Sequence, residues 1–248
     1  MLKVENITKT FGSLAVLKNL SLQVGEHEIL GLIGPNGAGK TTIFNIVSGF
    51  LTPEGGKAVF EGKEITGGSP HLIANLGISR TFQNLRLIRQ VSVLDNVLLF
   101  FKSQPGERLR NVFFGWRKSR NRDTANRKEA LYLLNEAGLS KKASDLAEDL
   151  SYGQQKLLSL VCCLAGQGRL LLLDEPVAGI APEMIEKILG IIRSLPDKGK
   201  SVILIEHNLD AVMQVCDRVI FMDAGVKVSE GTPDKVRNDP KVIEAYLD

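Results

Sequence analysis

A glycine-rich segment near the N-terminus has the residue types and spacing of a phosphate-binding loop. Residues 34–42 read Gly-Pro-Asn-Gly-Ala-Gly-Lys-Thr-Thr, which fits the pattern G-x-x-x-x-G-K-[ST]. In such a loop the backbone N–H groups point at phosphates, and the following helix adds the positive end of its dipole. We expect Lys40 to reach the β- and γ-phosphates of a nucleoside triphosphate and the Thr41 hydroxyl to bind Mg²⁺. The candidate binding residues are Gly34, Pro35, Asn36, Gly37, Ala38, Gly39, Lys40, Thr41 and Thr42.

Two acidic residues follow an apolar segment in the second half of the chain. Residues 170–173 are four leucines, and Asp174 and Glu175 come directly after them. A buried strand here would place Asp174 at the carboxyl edge of a sheet, where it holds Mg²⁺ through water, while Glu175 polarises an attacking water. The alternative is a buried strand that ends in solvent-facing acids. The phosphate loop in the same chain favours the catalytic interpretation.

The hydrophobic pattern predicts the elements that position these groups. Strands are expected over residues 2–4, 20–24 and 28–33, and a helix is expected from near Lys40 to Gly49. Strands at 78–82, 170–173, 202–205 and 218–222 alternate with helical patterns at 153–165, 183–192 and 209–215, which is typical of a parallel sheet covered by helices. Helical periodicity from Val93 and over 125–137 indicates an α-rich insertion in this α/β core.

Length and composition limit the possible classes of protein. The 248 residues, of which 44% are hydrophobic and 24% are charged, are typical of a soluble globular chain with one large α/β domain. The apolar segments are far shorter than the ~20 residues of a membrane-spanning helix, and the N-terminus lacks a signal-peptide pattern, so we expect a cytoplasmic protein. The net charge of +3 gives no reason to expect a nucleic-acid partner. Cys162, Cys163 and Cys216 are expected to be reduced core residues.

One segment of the chain, residues 102–128, is strongly basic. Its arginines and lysines are opposed only by Glu107 and Asp123, and aromatic residues interrupt the run at Phe113, Phe114 and Trp116. A solvated loop is the simpler interpretation of this segment. A surface that faces a membrane or a partner protein is the alternative.

A third motif makes the function specific. Residues 150–155 read Leu-Ser-Tyr-Gly-Gln-Gln, lie upstream of Asp174, and resemble the signature motif of ATP-binding cassette (ABC) ATPases. With the phosphate loop and the acid pair in this order, the whole chain resembles that family. The resemblance implies an α/β phosphate-loop NTPase core with an N-terminal antiparallel β subdomain and an inserted α-helical subdomain. Within a single domain, 1–248, the core would take residues 1–86 and 166–248, and the helical subdomain residues 87–165.

The resemblance also implies roles for single residues. Phe11 would stack on adenine, although a phenylalanine in the core is the alternative. Gln83 would contact Mg²⁺ and the attacking water, and His207 would hydrogen-bond the γ-phosphate. The catalytic residues implied are Glu175, His207 and Gln83, and the metal-binding residues are Thr41, Gln83 and Asp174.

The signature motif implies that two ATPase subunits act together. Ser151, Gly153 and Gln154 would contact the ATP bound by the opposite subunit, which is either identical or related. The chain departs from the family pattern where Tyr152 replaces a glycine and Ala181 an acid, and Leu157 and Cys162 stand where arginines are common. No ion pair or cross-dimer coupling is therefore transferred to Ala181, Leu157 or Cys162.

Further segments resemble one group within the family. Residues 77–84, 93–97 and 242–247 are similar to the ATP-binding subunits of branched-chain amino acid importers, and related urea or amide importers share the pattern. This resemblance implies separate membrane permeases, an extracytoplasmic binding protein, and a peripheral location on the inner face of the membrane. The alternatives are an exporter ATPase of the lipopolysaccharide type, a soluble ABC clamp, and a non-hydrolysing nucleotide-binding module. The last would be expected to lack Glu175 or His207.

Overall fold

Two β-sheets form the framework of the computed structural model, which describes residues 1–82, 85–102 and 116–247. The antiparallel four-stranded sheet contains β1 (Leu2–Phe11), β2 (Leu14–Val24), β4 (Gly55–Phe60) and β5 (Lys63–Glu64), in the order β2-β1-β4-β5. The six-stranded sheet contains β3 (Ile29–Ile33), β6 (Ile78–Arg80), β7 (Leu170–Asp174), β8 (Ser201–Ile205), β9 (Arg218–Asp223) and β10 (Val226–Gly231). Its order is β10-β9-β3-β8-β7-β6, and its pairs are parallel except β9 with β10.

Helices cover this framework. They are α1 (Lys40–Val47), α2 (Pro70–Leu76), α3 (Val93–Leu98), α4 (Trp116–Glu136), α5 (Tyr152–Ala165), α6 (Pro182–Arg193), α7 (Leu209–Val215), α8 (Pro233–Arg237) and α9 (Pro240–Leu247). Within the described ranges, no helix combines the length and the apolar character that crossing a bilayer requires.

The six-stranded sheet lies between two hydrophobic clusters. Alternate residues of β7 point to opposite sides: Leu171 and Leu173 pack with the helical residues of 93–165, whereas Leu170 and Leu172 pack with the antiparallel sheet and α1. Strands β3 and β8 divide their side chains in the same way. Because both faces are covered, the central strands are continuous apolar runs rather than alternating patterns. The three cysteines are free and buried, as expected.

The predicted architecture is confirmed, with differences in detail. The chain has an α/β core, an antiparallel β sheet at the N-terminus and a helical insertion. Strand β1 is longer than the predicted 2–4, because register shifts between Val4 and Thr10 obscure the alternation in its sequence. The strand predicted at 78–82 ends at Arg80, and β10 adds an antiparallel edge to the sheet. The subdomain boundaries at 86 and 166 stay predictions.

Candidate functional site

The phosphate loop, residues 34–42, comprises the connection between β3 and α1 and the first residues of α1, and it requires glycine for its shape. Gly34, Gly37 and Gly39 have φ angles of 144°, 85° and 98°, in the region that residues with a side chain rarely adopt. A Cβ atom on Gly34 would lie 2.0 Å from the carbonyl oxygen of Met222 in the neighbouring strand β9. The loop therefore takes this path only because both the backbone angles and the space suit glycine.

Lys40 lies at the start of α1 with its ammonium group over the loop. Its Nζ donates hydrogen bonds to the carbonyl oxygens of Gly34 at 2.7 Å and Pro35 at 2.9 Å. Burial lowers the pKa of Lys40, and the negative charges of Glu175 and Asp174 oppose this effect. The loop lysine therefore lies within electrostatic reach of both carboxylates.

The carboxyl ends of β3, β7 and β8 meet at one edge of the sheet, because these strands are parallel neighbours. The phosphate loop follows β3, Asp174 ends β7, and Glu206 and His207 follow β8. Groups that are far apart in the sequence therefore lie around one place in the fold.

Asp174 is held by Arg80, which lies in the segment 77–84 but was not predicted to be a site residue. The Arg80 guanidinium lies 3.3 Å from the Asp174 carboxylate, and it also donates to Asn45 Oδ1 at 2.7 Å and Ser48 Oγ at 2.9 Å. The backbone N–H of Asp174 donates to Thr81 Oγ1 at 3.0 Å. Burial raises the pKa of Asp174, and the adjacent Arg80 opposes that rise. Arg80 therefore connects β6, β7 and α1.

Replacing Arg80 with methionine is expected to destabilise the fold. The side chains of Arg80 and Asp174 are only 6% and 2% exposed, so the substitution leaves a buried carboxylate without its ion-pair partner. The expected loss is about 3 kcal/mol in the free energy of unfolding, measured by urea denaturation. The double variant Arg80→Met/Asp174→Asn should recover part of this loss. Equal stability of Arg80→Met and the wild type would contradict a structural role for the pair.

Glu175 lies next to His207 and has an uncommon backbone conformation. Its Oε1 is 3.2 Å from His207 Nε2, and its φ angle is 49°. Its N–H donates to the carbonyl oxygen of Ile205 at 2.9 Å, which ties the residue to the end of β8. A non-glycine residue in the left-handed region costs free energy and persists only where surrounding contacts hold it. Two of the three predicted catalytic residues, Glu175 and His207, are thus in contact.

Two further charged residues, Glu206 and Lys156, surround Glu175, and neither was predicted to be a site residue. Glu206 is buried after β8 and accepts a hydrogen bond from the Val177 N–H at 2.9 Å. Lys156 is buried on α5, and its ammonium donates to the carbonyl oxygen of Glu175. Burial raises the pKa of Glu206, and the Val177 N–H and Lys156 oppose this effect. The sequence held a signal for each residue. Lys156 is a charged residue within an apolar helix, and Glu206 is an acid directly after a buried strand.

The signature residues lie at the start of α5. Ser151 is the exposed N-cap: its Oγ accepts from the Gln154 N–H at 3.4 Å, while Gln154 Oε1 accepts from the Ser151 N–H at 3.0 Å. This capping box explains the helix start. A Cβ atom on Gly153 would lie 3.1 Å from Met184 Cγ, so the turn packs closely on α6.

Two predicted residues remain. Phe11, at the end of β1, is 50% exposed, so it is not the core phenylalanine that was the alternative interpretation. Gln83 lies outside the described residues.

Comparison with protein families gives two matches. Residues 17–178 match the family described as ABC transporter, and residues 226–247 match the family described as branched-chain amino acid ATP-binding cassette transporter.

Curated relatives match the chain over its whole length. It is 36% identical over 248 residues to the high-affinity branched-chain amino acid transport ATP-binding protein BraF of Pseudomonas aeruginosa, with 100% of this chain and 97% of that protein covered. It is also 36% identical over 251 residues to the corresponding protein LivG of Escherichia coli (strain K12), with the same coverage of 100% and 97%.

Solved structures have the same fold. A nucleotide-free ATP-binding cassette from an ABC transporter superposes with a TM-score of 0.86 at 34% identity, covering 100% of this chain and 99% of that one. A dimeric cassette in a post-hydrolysis state with ADP and Pi has a TM-score of 0.77 at 26% identity, covering 94% and 99%.

Proposed function

The chain belongs to the ATP-binding cassette family of ABC transporters, and we propose that it is the ATP-hydrolysing subunit of a branched-chain amino acid importer. The observation that carries the hydrolytic role is the contact of Glu175 with His207 at the sheet edge that also holds the phosphate loop and Asp174. The names of the full-length relatives and the match of residues 226–247 support the branched-chain amino acid as the solute.

The residues at this edge, together with Phe11 and Gln83, are proposed to bind Mg-ATP. Lys40 and the backbone N–H groups of residues 34–42 would bind the phosphates, and Phe11 would stack on adenine. The Thr41 hydroxyl and the Asp174 carboxylate are oxygen donors of the kind that Mg²⁺ prefers, and Gln83 is the third proposed ligand. When bound, Mg²⁺ neutralises charge on the phosphates during transfer.

Glu175 is proposed to orient the attacking water and to accept its proton. The His207 side chain, whose Nε2 lies 3.2 Å from the carboxylate, would hold Glu175 in place, and His207 is also the residue proposed to hydrogen-bond the γ-phosphate of bound ATP. Gln83 would contact the same water. Catalysis here depends on positioning and electrostatics, because phosphoryl transfer requires little covalent chemistry from the protein.

A second ATPase subunit, identical or related, is proposed to complete the site. Ser151, Gly153 and Gln154 are presented at the exposed N-terminus of α5, where helix N–H groups favour an anion. The dimeric structure of a relative with ADP and Pi supports this arrangement. Each ATP would thus lie between the phosphate loop of one subunit and the signature residues of the other.

A groove beside the site is the proposed docking surface for a permease. It has a volume of about 440 Å³ and lies between α2, the end of β6 and the end of α3. Its apolar lining includes Phe50, Phe82 and Phe100, and cationic groups are supplied by Arg86 and Lys102. We assign it to a short amphipathic helix that carries an acidic residue, because such a helix complements both the apolar floor and the positive charge. Phe82 directly precedes Gln83, so movement of the docked helix would reach the catalytic site.

Replacing Phe100 with aspartate should weaken permease binding at least about tenfold, because it removes an apolar anchor and places a carboxylate opposite the partner's acid. ATP hydrolysis by the isolated subunit should not change. Co-purification with the permeases measures binding. Ile243→Asp, at an exposed apolar position outside the groove, is the matched control. An equal loss of permease binding in both variants, or no loss in either variant, would contradict this docking surface.

Uptake of labelled leucine, isoleucine and valine tests the transported solute. Cells without this chain should lose ATP-dependent uptake, and the wild-type chain should restore it. Loss of urea or amide uptake instead would support the related importers, and defective lipopolysaccharide export would support the exporter alternative. The importer proposal also places the chain in the cytoplasm, on the inner face of the membrane, with an extracytoplasmic protein that delivers the solute.

A further inference from the structure

Lys156 is a buried lysine that no step of the proposed mechanism uses. It lies one turn inside α5, is 6% exposed, and its ammonium donates a hydrogen bond to the carbonyl oxygen of Glu175. Burying an ammonium group is costly unless hydrogen bonds and opposite charges compensate. Here the compensation comes from the backbone of the proposed catalytic residue and from the negative charges of Glu206, Glu175 and Asp174.

Glu175 needs such support because of its backbone. With φ at 49°, it adopts a left-handed conformation that persists only where the surroundings hold it. The Ile205 carbonyl fixes its N–H from the β8 side. Its carbonyl oxygen accepts from the Lys156 ammonium on the α5 side and, at 3.3 Å, from the Ala178 N–H of its own turn. The peptide groups on both sides of the residue are therefore restrained, and the direction of the carboxylate follows.

The surroundings of Lys156 connect this contact to the segment after Glu175. The Tyr152 ring lies 5.7 Å from the Lys156 ammonium, and a Cβ atom on Gly179 would lie 3.5 Å from the same ring. Glu206 accepts from Val177 in this segment as well. These contacts thus form one packed unit, which contains the first turn of α5, residues 175–179 and Glu206.

We propose that Lys156 is a positioning residue whose hydrogen bond to the Glu175 carbonyl holds the left-handed backbone that directs the Glu175 carboxylate toward His207. The inference rests on the catalytic role proposed for Glu175. Lys156 lies on α5, the helix that Ser151 caps. Its hydrogen bond therefore makes the backbone geometry of Glu175 depend on the position of α5 in the same subunit.

The test compares Lys156→Met, Lys156→Gln and Lys156→Arg with Lys200→Met. Lys200 is a suitable control, because its ammonium is also partly buried, has a pKa lowered by burial, and donates to a backbone carbonyl, that of Gly168 at 2.9 Å. Lys156→Met and Lys156→Gln should lower kcat about 10- to 100-fold, as expected when a catalytic group is displaced, with KM changed less than about twofold. Lys156→Arg, which keeps a long cationic donor, should restore kcat to within about threefold of the wild type.

The outcomes separate this inference from the function on which it rests. Lys156→Gln provides the same test if Lys156→Met does not fold. A kcat for the methionine or glutamine variant equal to that of Lys200→Met would overturn the inference, and so would a change confined to KM or an arginine variant as slow as the methionine variant. Hydrolysis that survives in Glu175→Gln would contradict the role of Glu175 itself, and the inference with it.

Discussion

Glu175→Gln is expected to reduce ATP hydrolysis by a factor of about 100 to 10,000 while ATP binding persists, because a glutamine amide cannot accept the proton of the attacking water. The amide has nearly the shape of the carboxylate, so the contact with His207 at 3.2 Å can be retained. Phosphate release measures turnover, and a fluorescent ATP analogue measures binding. Because bound ATP is no longer cleaved, the variant should also accumulate as an ATP-bound dimer, which sedimentation velocity detects.

A neighbouring acid provides the control for this substitution. Glu183 lies in the first turn of α6 and is not one of the proposed site residues, and Glu183→Gln removes one negative charge from the same part of the chain. It should hydrolyse ATP at the wild-type rate. Brisk turnover by Glu175→Gln would exclude Glu175 as the residue that activates water, and slow turnover by both variants would indicate an unspecific effect of charge.

Lys40→Ala should weaken ATP binding by about 10- to 100-fold, because each charge-assisted hydrogen bond to phosphate contributes roughly 1.5–3 kcal/mol. The ammonium group already lies over the loop, bonded to the carbonyl oxygens of Gly34 and Pro35, so it is positioned for a ligand there. Equilibrium binding of a fluorescent ATP analogue measures the change. Lys63→Ala, at an exposed lysine on β5, should bind ATP like the wild type. Unchanged affinity in Lys40→Ala would count against residues 34–42 as the phosphate site.

Much of the candidate site could be predicted because its signals are local in the sequence. The loop at 34–42 needs glycines at fixed positions, and the leucines before Asp174 indicate a strand buried on both faces. Parallel pairing then places the residues that follow β3, β7 and β8 at one edge. The resemblance to a family added Phe11, Gln83, His207 and the signature residues. Without that resemblance, a single polar or aromatic residue does not indicate a functional role.

What could not be predicted depends on contacts between distant segments. Arg80 and Asp174 are far apart in the sequence, and nothing near either residue indicates their ion pair. The contact of Lys156 with the Glu175 carbonyl requires knowledge of how α5 packs on the end of β7. Register shifts in β1 hid most of that strand, because they break the alternation on which strand prediction depends.

The central claim is that the site at residues 34–42 is one half of a catalytic centre, and mixing two inactive variants tests it most directly. Lys40→Ala removes the phosphate-loop half. Ser151→Asp keeps an N-cap residue for α5 but places a carboxylate against the partner's ATP, so it removes the signature half.

Each variant alone should be inactive under conditions in which the wild type hydrolyses ATP. In a mixed dimer, however, one site combines the intact loop of one chain with the intact signature residues of the other. An equal mixture should therefore recover about a quarter of the wild-type rate, since half of randomly paired dimers are mixed and each has one intact site. A mixture as inactive as its two components, beside an active wild type, would contradict a site shared between two copies of this chain.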